Sequence, residues 1–198
     1  ALQSNMFLQK EALDAFILMY EAAKKEGVNL QILSATRSFN RQKTIWENKW
    51  KGVSLVNGKN LAVSIPDFEN RAIEILRFSS MPGTSRHHWG TDIDINSLSP
   101  SYFKSGKGLK EYNWLVQNAH KFGFAQPYKD KGNSRVFGYE DEPWHWSYLP
   151  LACKFYKAYS ELVTYEDIKG FQGDLVAENI DVISKYVLSV YQDCKCID

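Results

Sequence analysis

The chain has little of what marks several broad protein classes. No apolar run approaches the roughly 20 residues that a membrane-spanning helix needs, and the opening ALQSNMFLQKEALDAF has no basic-then-apolar export pattern. No membrane span is expected in this chain. Charge bias is missing as well, with 24 Lys and Arg against 23 Asp and Glu. No long basic run is present, so nucleic acid is not an expected partner and a small or neutral molecule is. Internal repeats and low-complexity tracts are absent. Cysteine is scarce, at three residues. Cys194 and Cys196 are too close in sequence to pair comfortably with each other. An oxidising compartment would therefore join Cys153 to one of them, and a reducing one would leave three thiols.

What is present is core-forming material: 44% hydrophobic and 14% aromatic residues in 198. That is enough for one substantial core and short for two, so a single domain over 1–198 and a monomer are expected. Met6, Leu13, Phe16, Ile17 and Tyr20 recur at helical spacing and predict an amphipathic helix over about 5–26, with Gly27 as its stop. Residues 30–33 read as a short strand, and Ser38 as the cap of a helix running to about Trp50. A further helix is expected near 68–78. Thr91 to Asn96 alternates as a strand does, with Ile93 and Ile95 inward and Asp92 and Asp94 on the other face. Residues 108–122 predict a helix and 142–148 a short aromatic strand or turn. A helical C-terminal extension is expected over about 151–191, as helices at 151–163 and 177–191. The mixture is α+β, a small mainly antiparallel sheet flanked by helices.

Histidine is also sparse, which makes its placement informative. Two of the four fall in GTSRHHWGTDIDIN (83–96), beside two alternating aspartates, and a third is His145 in EDEPWHWSY. Catalytic zinc commonly takes three His or carboxylate ligands and keeps a fourth position for water. Spacing alone chooses neither His87 over His88 nor Asp94 over Asp92.

The order S-x-H-x-x-G-x-x-x-D then E-x-W-H is carried by Ser85, His87, Gly90, Asp94, Glu142, Trp144 and His145. With R-S-x-x-x-Q at Arg37, Ser38 and Gln42, it resembles the VanY-like D-alanyl-D-alanine carboxypeptidases, zinc peptidases related in fold to the zinc-binding domain of hedgehog proteins. The resemblance implies one zinc ion held by His87, Asp94 and His145, Glu142 as general base and acid, and Arg37 facing the scissile carbonyl. Each role suits its chemistry. Zinc lowers the pKa of a bound water to about 7, a carboxylate three residues from a ligand histidine can carry that water's proton, and a permanent guanidinium suits a developing oxyanion. Ser85, Gln42 and Arg37 are expected to hold the substrate. Gly90 is expected to permit the turn before the strand.

One departure concerns Asp92, where the family usually has a small residue. A second carboxylate there would either orient a ligand histidine or disfavour acidic substrates. His88 is read as a pocket-wall or surface residue and His120 as a cation near a helix C-terminus. Trp144, Trp146 and Tyr148 are read as core residues on the face opposite His145, and Glu140 and Asp141 as solvated charges.

The resemblance implies hydrolysis of the terminal D-alanyl-D-alanine bond of peptidoglycan stem peptides or precursors. An exported, cell-envelope or periplasmic location goes with that substrate. An L,D-carboxypeptidase or a cell-wall endopeptidase would use the same zinc site. A non-catalytic zinc-binding recognition module would need neither Glu142 nor Arg37.

Overall fold

A computed structural model describes residues 6–196. Helix α1 spans Lys10–Lys25; Asn5, the first residue of the expected helix, lies outside the described residues. The buried stripe of α1 is Ala12, Phe16, Met19 and Ala23, and Ile17 is 45% exposed. The expected stripe is thus turned by part of a helical revolution, because two small alanines seat the helix close against the core. The chain continues through β1 (Ile32–Ser34), α2 (Phe39–Trp50), α3 (Leu61–Ser64), α4 (Phe68–Leu76), β2 (Asp92–Ile95), α5 (Gly106–Asn118), β3 (Phe124–Ala125), β4 (His145–Tyr148) and α6 (Leu149–Leu162). Ser38 caps α2 by accepting from the Arg41 N–H at 3.2 Å.

The strands form one antiparallel sheet in the order β1-β2-β4-β3. Register places Asp94 between Ser34 and His145, Asp92 against Ser147, and Ile93 against Trp146. Because side chains alternate, the sheet has two unlike faces. Ile32, Ile93, Ile95 and Trp146 enter a core that α1 and α5 cover with Phe16, Met19, Trp114 and Leu115. Ser34, Asp92, Asp94, His145 and Ser147 share the other face. All four residues of β2 are buried, so that face is a buried polar site. Trp146 packs in the core as expected, whereas Trp144 precedes β4 and lines the cavity on the polar side.

A second core joins α2 and α4 to the C-terminal segment, through Trp46, Trp50, Ile75, Leu76, Ile168, Phe171 and Val190. The expected helix at 177–191 is corrected: Asp181 has a positive φ of 53°, which interrupts helical geometry. A short turn at Asp174–Val176 and a single wide helical turn at Ile183–Val187 stand in its place. The segment packs as an irregular strap, and a disulfide between Cys153 and Cys196 ties its end to α6. Cys194 is a buried thiol.

Residues 153 and 196 enclose a separation of 43. A loop of that size confers about 4 kcal/mol in the chain-entropy account, within a typical range of about 2–4. Cys153→Ser, or wild-type protein under reductant, is expected to lose about 2–4 kcal/mol in chemical denaturation. Equal midpoints with and without reductant would show that the bridge adds nothing to stability.

Candidate active site

The site is built where β2, β4 and one tight turn meet. Residues Arg86–Trp89 form a 3₁₀ turn closed by Gly90 at φ 71°. A β-carbon at Gly90 would approach Thr36 Oγ1 to 3.1 Å, so the residue permits both the left-handed turn and the close approach. Successive side chains on such a turn point about 120° apart, and this separates the paired histidines. His87 is buried, its Nδ1 2.8 Å from the Ala35 carbonyl. A carbonyl only accepts, so Nδ1 carries the proton and Nε2 presents its lone pair. His88 instead braces the chain, with Nδ1 2.7 Å from the Arg37 carbonyl and Nε2 accepting the Gly83 N–H at 3.1 Å.

His145 has the complementary arrangement. Its Nε2 lies 2.9 Å from Asp92 Oδ1, and its Nδ1 lies 3.3 Å from Asp94 Oδ1 and 3.4 Å from Glu142 Oε2. His87 Nε2 is 3.3 Å from Asp94 Oδ2. One ligand atom from each of His87, Asp94 and His145 falls within 4.8 Å of the others. His87 Nε2 and Asp94 Oδ1 are buried with no hydrogen-bond partner. Two imidazoles and a carboxylate converging with uncommitted, buried donor atoms fit a zinc-type metal centre.

Asp92 is the residue that the sequence left between two roles. It is wholly buried and accepts from His145, Arg86 Nε (3.1 Å), Thr91 Oγ1 (2.6 Å) and Ser147 Oγ (3.0 Å). Arg86 reaches Ser147 as well, at 2.7 Å, and its guanidinium lies over the Trp89 ring at 4.5 Å. Burial opposes ionisation of Asp92, yet Arg86 and His145 hold its carboxyl well below the ordinary range. Asp92 is thus hydrogen-bonded to a histidine of the group that could hold a metal, the contact on which the first of the two alternatives depends.

The remaining groups surround the same point. Burial works against ionising Asp94 too, and His87 and His145 overcome it, holding the carboxyl well below the ordinary range. Burial, then Arg37, pushes the His87 imidazole down. His145 is raised well above its ordinary value because Asp92, Asp94 and Glu142 outweigh burial. Burial pushes Glu142 up against the pull of His145. Arg37 is fixed at three points: Nε donates to Ser34 Oγ (3.1 Å), Nη1 to Gln42 Oε1 (3.0 Å) and Nη2 to Asp94 Oδ2 (3.1 Å).

Of the residues expected to hold substrate, Ser85 lines the cavity, its buried Oγ unpartnered. Gln42 is placed differently. It is buried away from the cavity wall, and its Nε2 donates to the Ser80 carbonyl at 2.7 Å while Oε1 receives Arg37. A bracing position thus replaces the expected substrate contact. His120 is exposed, at a distance from this cavity. Sequence reasoning missed Arg86, Ser147 and Tyr128, whose ring is tilted at 60° to that of His145 with centroids 4.8 Å apart. It also missed Lys49, on the wall of the same 1250 Å³ cavity. Arg86 adjoins His87 in the motif, but its pairing with Asp92 exists only once the turn folds back on β2.

Comparison with known proteins gives a consistent result. Residues 5–151 match the family model described as VanY, D-alanyl-D-alanine carboxypeptidase. The Bacillus subtilis (strain 168) protein YodJ, named as a carboxypeptidase, is 35% identical over 145 residues, covering 72% of this chain and 46% of that one. A D-alanyl-D-alanine carboxypeptidase of Enterococcus faecalis is 30% identical over 146 residues, covering 70% and 47% respectively. The chain thus spans about half the length of these curated relatives. Among solved structures, a zinc complex of a vancomycin-resistance D,D-pentapeptidase, VanY, shares the fold, with a TM-score of 0.58 and 23% identity over 85% of this chain and 87% of that one.

Removing one partner of a buried ion pair strands the other. Asp92→Ala leaves Arg86 enclosed without a counter-ion and is expected to cost about 3–5 kcal/mol of stability, read by chemical denaturation. Replacing Asp92 with Asn keeps two acceptable hydrogen-bond partners and is expected to cost less. Equal losses for the two variants would mean that the charge, which both remove, outweighs the hydrogen bonds that Asn keeps, and an Asp92→Asn protein as stable as wild type would mean that the charge is immaterial to the fold.

Proposed function

The chain belongs to the VanY D-alanyl-D-alanine carboxypeptidase family, and on that premise we propose that it is a zinc metallopeptidase that removes the terminal D-alanine of peptidoglycan stem peptides or their precursors. The observation that carries this reading is the convergence of His87 Nε2, His145 Nδ1 and Asp94 beside the Glu142 carboxyl, 3.4 Å from His145. These three are the proposed zinc ligands. Zinc bound there supplies a Lewis acid that polarises a carbonyl and lowers the pKa of a water to about 7.

The chain's own residues supply the rest. Glu142 takes the proton of the attacking water and returns it to the leaving nitrogen. Its raised proton affinity, a consequence of burial, suits a group that must both accept and release. Arg37, held by Ser34, Gln42 and Asp94 before any substrate arrives, stabilises negative charge on the carbonyl oxygen without having to reorient. Ser85 offers its free hydroxyl to the peptide. Asp92 keeps the proton of His145 on Nε2 and so leaves Nδ1 for the metal. The presence of both Glu142 and Arg37 disfavours a purely recognising zinc module.

An oxidising, exported location is supported by the Cys153–Cys196 bridge. Among the described residues no helix is long and apolar enough to cross a membrane. The size of the cavity, about 1250 Å³, exceeds the roughly 300–1,000 Å³ common for small-ligand sites. That room favours cell-wall endopeptidase activity as the second reading.

Mass spectrometry of defined stem peptides, with zinc and with chelator, tests these readings. Chelator-sensitive loss of one D-alanine is expected, and cleavage of peptides with blocked C-termini would select the endopeptidase instead. Glu142→Gln is expected to lower turnover by about 10²–10⁴ while zinc remains bound, and His145→Ala to lose both. Full activity in Glu142→Gln would remove that residue from the mechanism. Arg37→Ala is expected to lower kcat by about 10²–10³ with the fold retained; unchanged kinetics would remove Arg37 from the site.

A further inference from the structure

Helix α2 carries two adjacent stripes. Gln42, Trp46 and Trp50 are buried, while Arg41, Ile45 and Lys49, each one residue earlier, line the cavity. At 1.5 Å per residue this second row extends about 12 Å along the cleft. Arg41, at the near end, is exposed to solvent, whereas the far cation, Lys49, is partly withdrawn from it and differs from the other sheltered cations of the site. Arg37 is matched by Asp94 and Arg86 by Asp92. The Lys49 ammonium donates to a neutral hydroxyl, Ser79 Oγ, and among the described residues forms no ion pair.

Lys49 is nevertheless half-buried, and it lines the same cavity as Arg37, Glu142 and His145 of the proposed reacting centre. Burial, then Arg37, pushes its ammonium down. An ammonium has three donors, and a partly desolvated cation without a counter-ion is costly until an anion meets it. Its location on the cavity wall means that the anion arrives with the ligand.

We propose that Lys49 is a specificity-determining residue that receives a carboxylate of the peptide substrate bound in this cavity. This rests on reading the cavity as a peptide cleft. Two parts of a peptide could present that carboxylate: the chain terminus or an acidic side chain upstream. The charge-assisted contact with either has the same chemistry.

The test measures equilibrium binding by calorimetry to the zinc-loaded Glu142→Gln protein, with Lys49 intact, as Lys49→Met and as Lys49→Arg. Three peptides are compared: the free acid, its C-terminal amide, and the free acid with its upstream carboxylate changed to a carboxamide. Lys49→Met is expected to weaken binding of the free acid by about 10–100-fold, with Lys49→Arg retaining most of the affinity. The peptide whose affinity is insensitive to Lys49→Met identifies the carboxylate that Lys49 receives. Affinities within twofold for all three peptides would overturn the inference. So would an equal loss for all three, which is the mark of a structural role, or failure of the free acid to bind. Hydrolysis by the wild-type protein is scored separately. Cleavage with binding indifferent to Lys49 sinks this inference alone, and Lys49-dependent binding without cleavage sinks only the peptidase reading.

Discussion

A buried carboxylate surrounded by donors sets the position of nearly everything else in the site. Asp92 lies in the middle of the sheet with no access to solvent, where an anion persists only if the protein replaces its water. Four groups do so, from three parts of the site: Thr91 beside it, Ser147 and His145 on β4, and Arg86 on the turn that carries His87. Meeting the needs of one charge thus fixes one histidine of the metal group directly. The other is fixed through its neighbour in the chain.

The same division of labour recurs on a larger scale. Strand alternation gives the sheet an apolar face that packs against α1 and α5 and a polar face that holds the site. Helix α2 repeats this with a core stripe and a cleft stripe set one residue apart. The cleft is therefore walled by elements that are each anchored in a core on their other side, and Arg37, at the junction of β1 and α2, is held by residues from three elements. Rigid placement of donors is what makes them effective toward charge that develops during a reaction.

Much of this was legible in the sequence where the cause is local. The Ile-Asp alternation of β2, the Ser38 cap and the glycine before β2 follow from backbone periodicity and conformational preference. The group His87, Asp94 and His145 was legible only through a resemblance, since spacing does not distinguish His87 from His88. That distinction arises from a 3₁₀ turn, where one residue turns the side chain from the metal group to the Arg37 carbonyl. Gln42 was read as a substrate contact, and its bracing position depends on the Ser80 carbonyl, 38 residues away. The stretch 177–191 looked helical because its apolar residues recur suitably, while the backbone at Asp181 breaks the helix and packing against α2 and α4 decides the path. Lys49 carried no local signal, being a lysine on a helix until the cleft forms beside it.

The strap after α6 lies outside the matched family region, which ends at residue 151, and yet it completes the core beneath α2. Its bridge from Cys153 to Cys196 makes the chain a covalent loop over that region. Where proteases act on exposed turns, this has a particular effect. A single cut anywhere between the two cysteines leaves both pieces attached to each other. The strap then stays tethered at the edge of the core it completes, so the severed piece can dock again as a unimolecular event, and the damage becomes visible only when the sulfur bond is reduced.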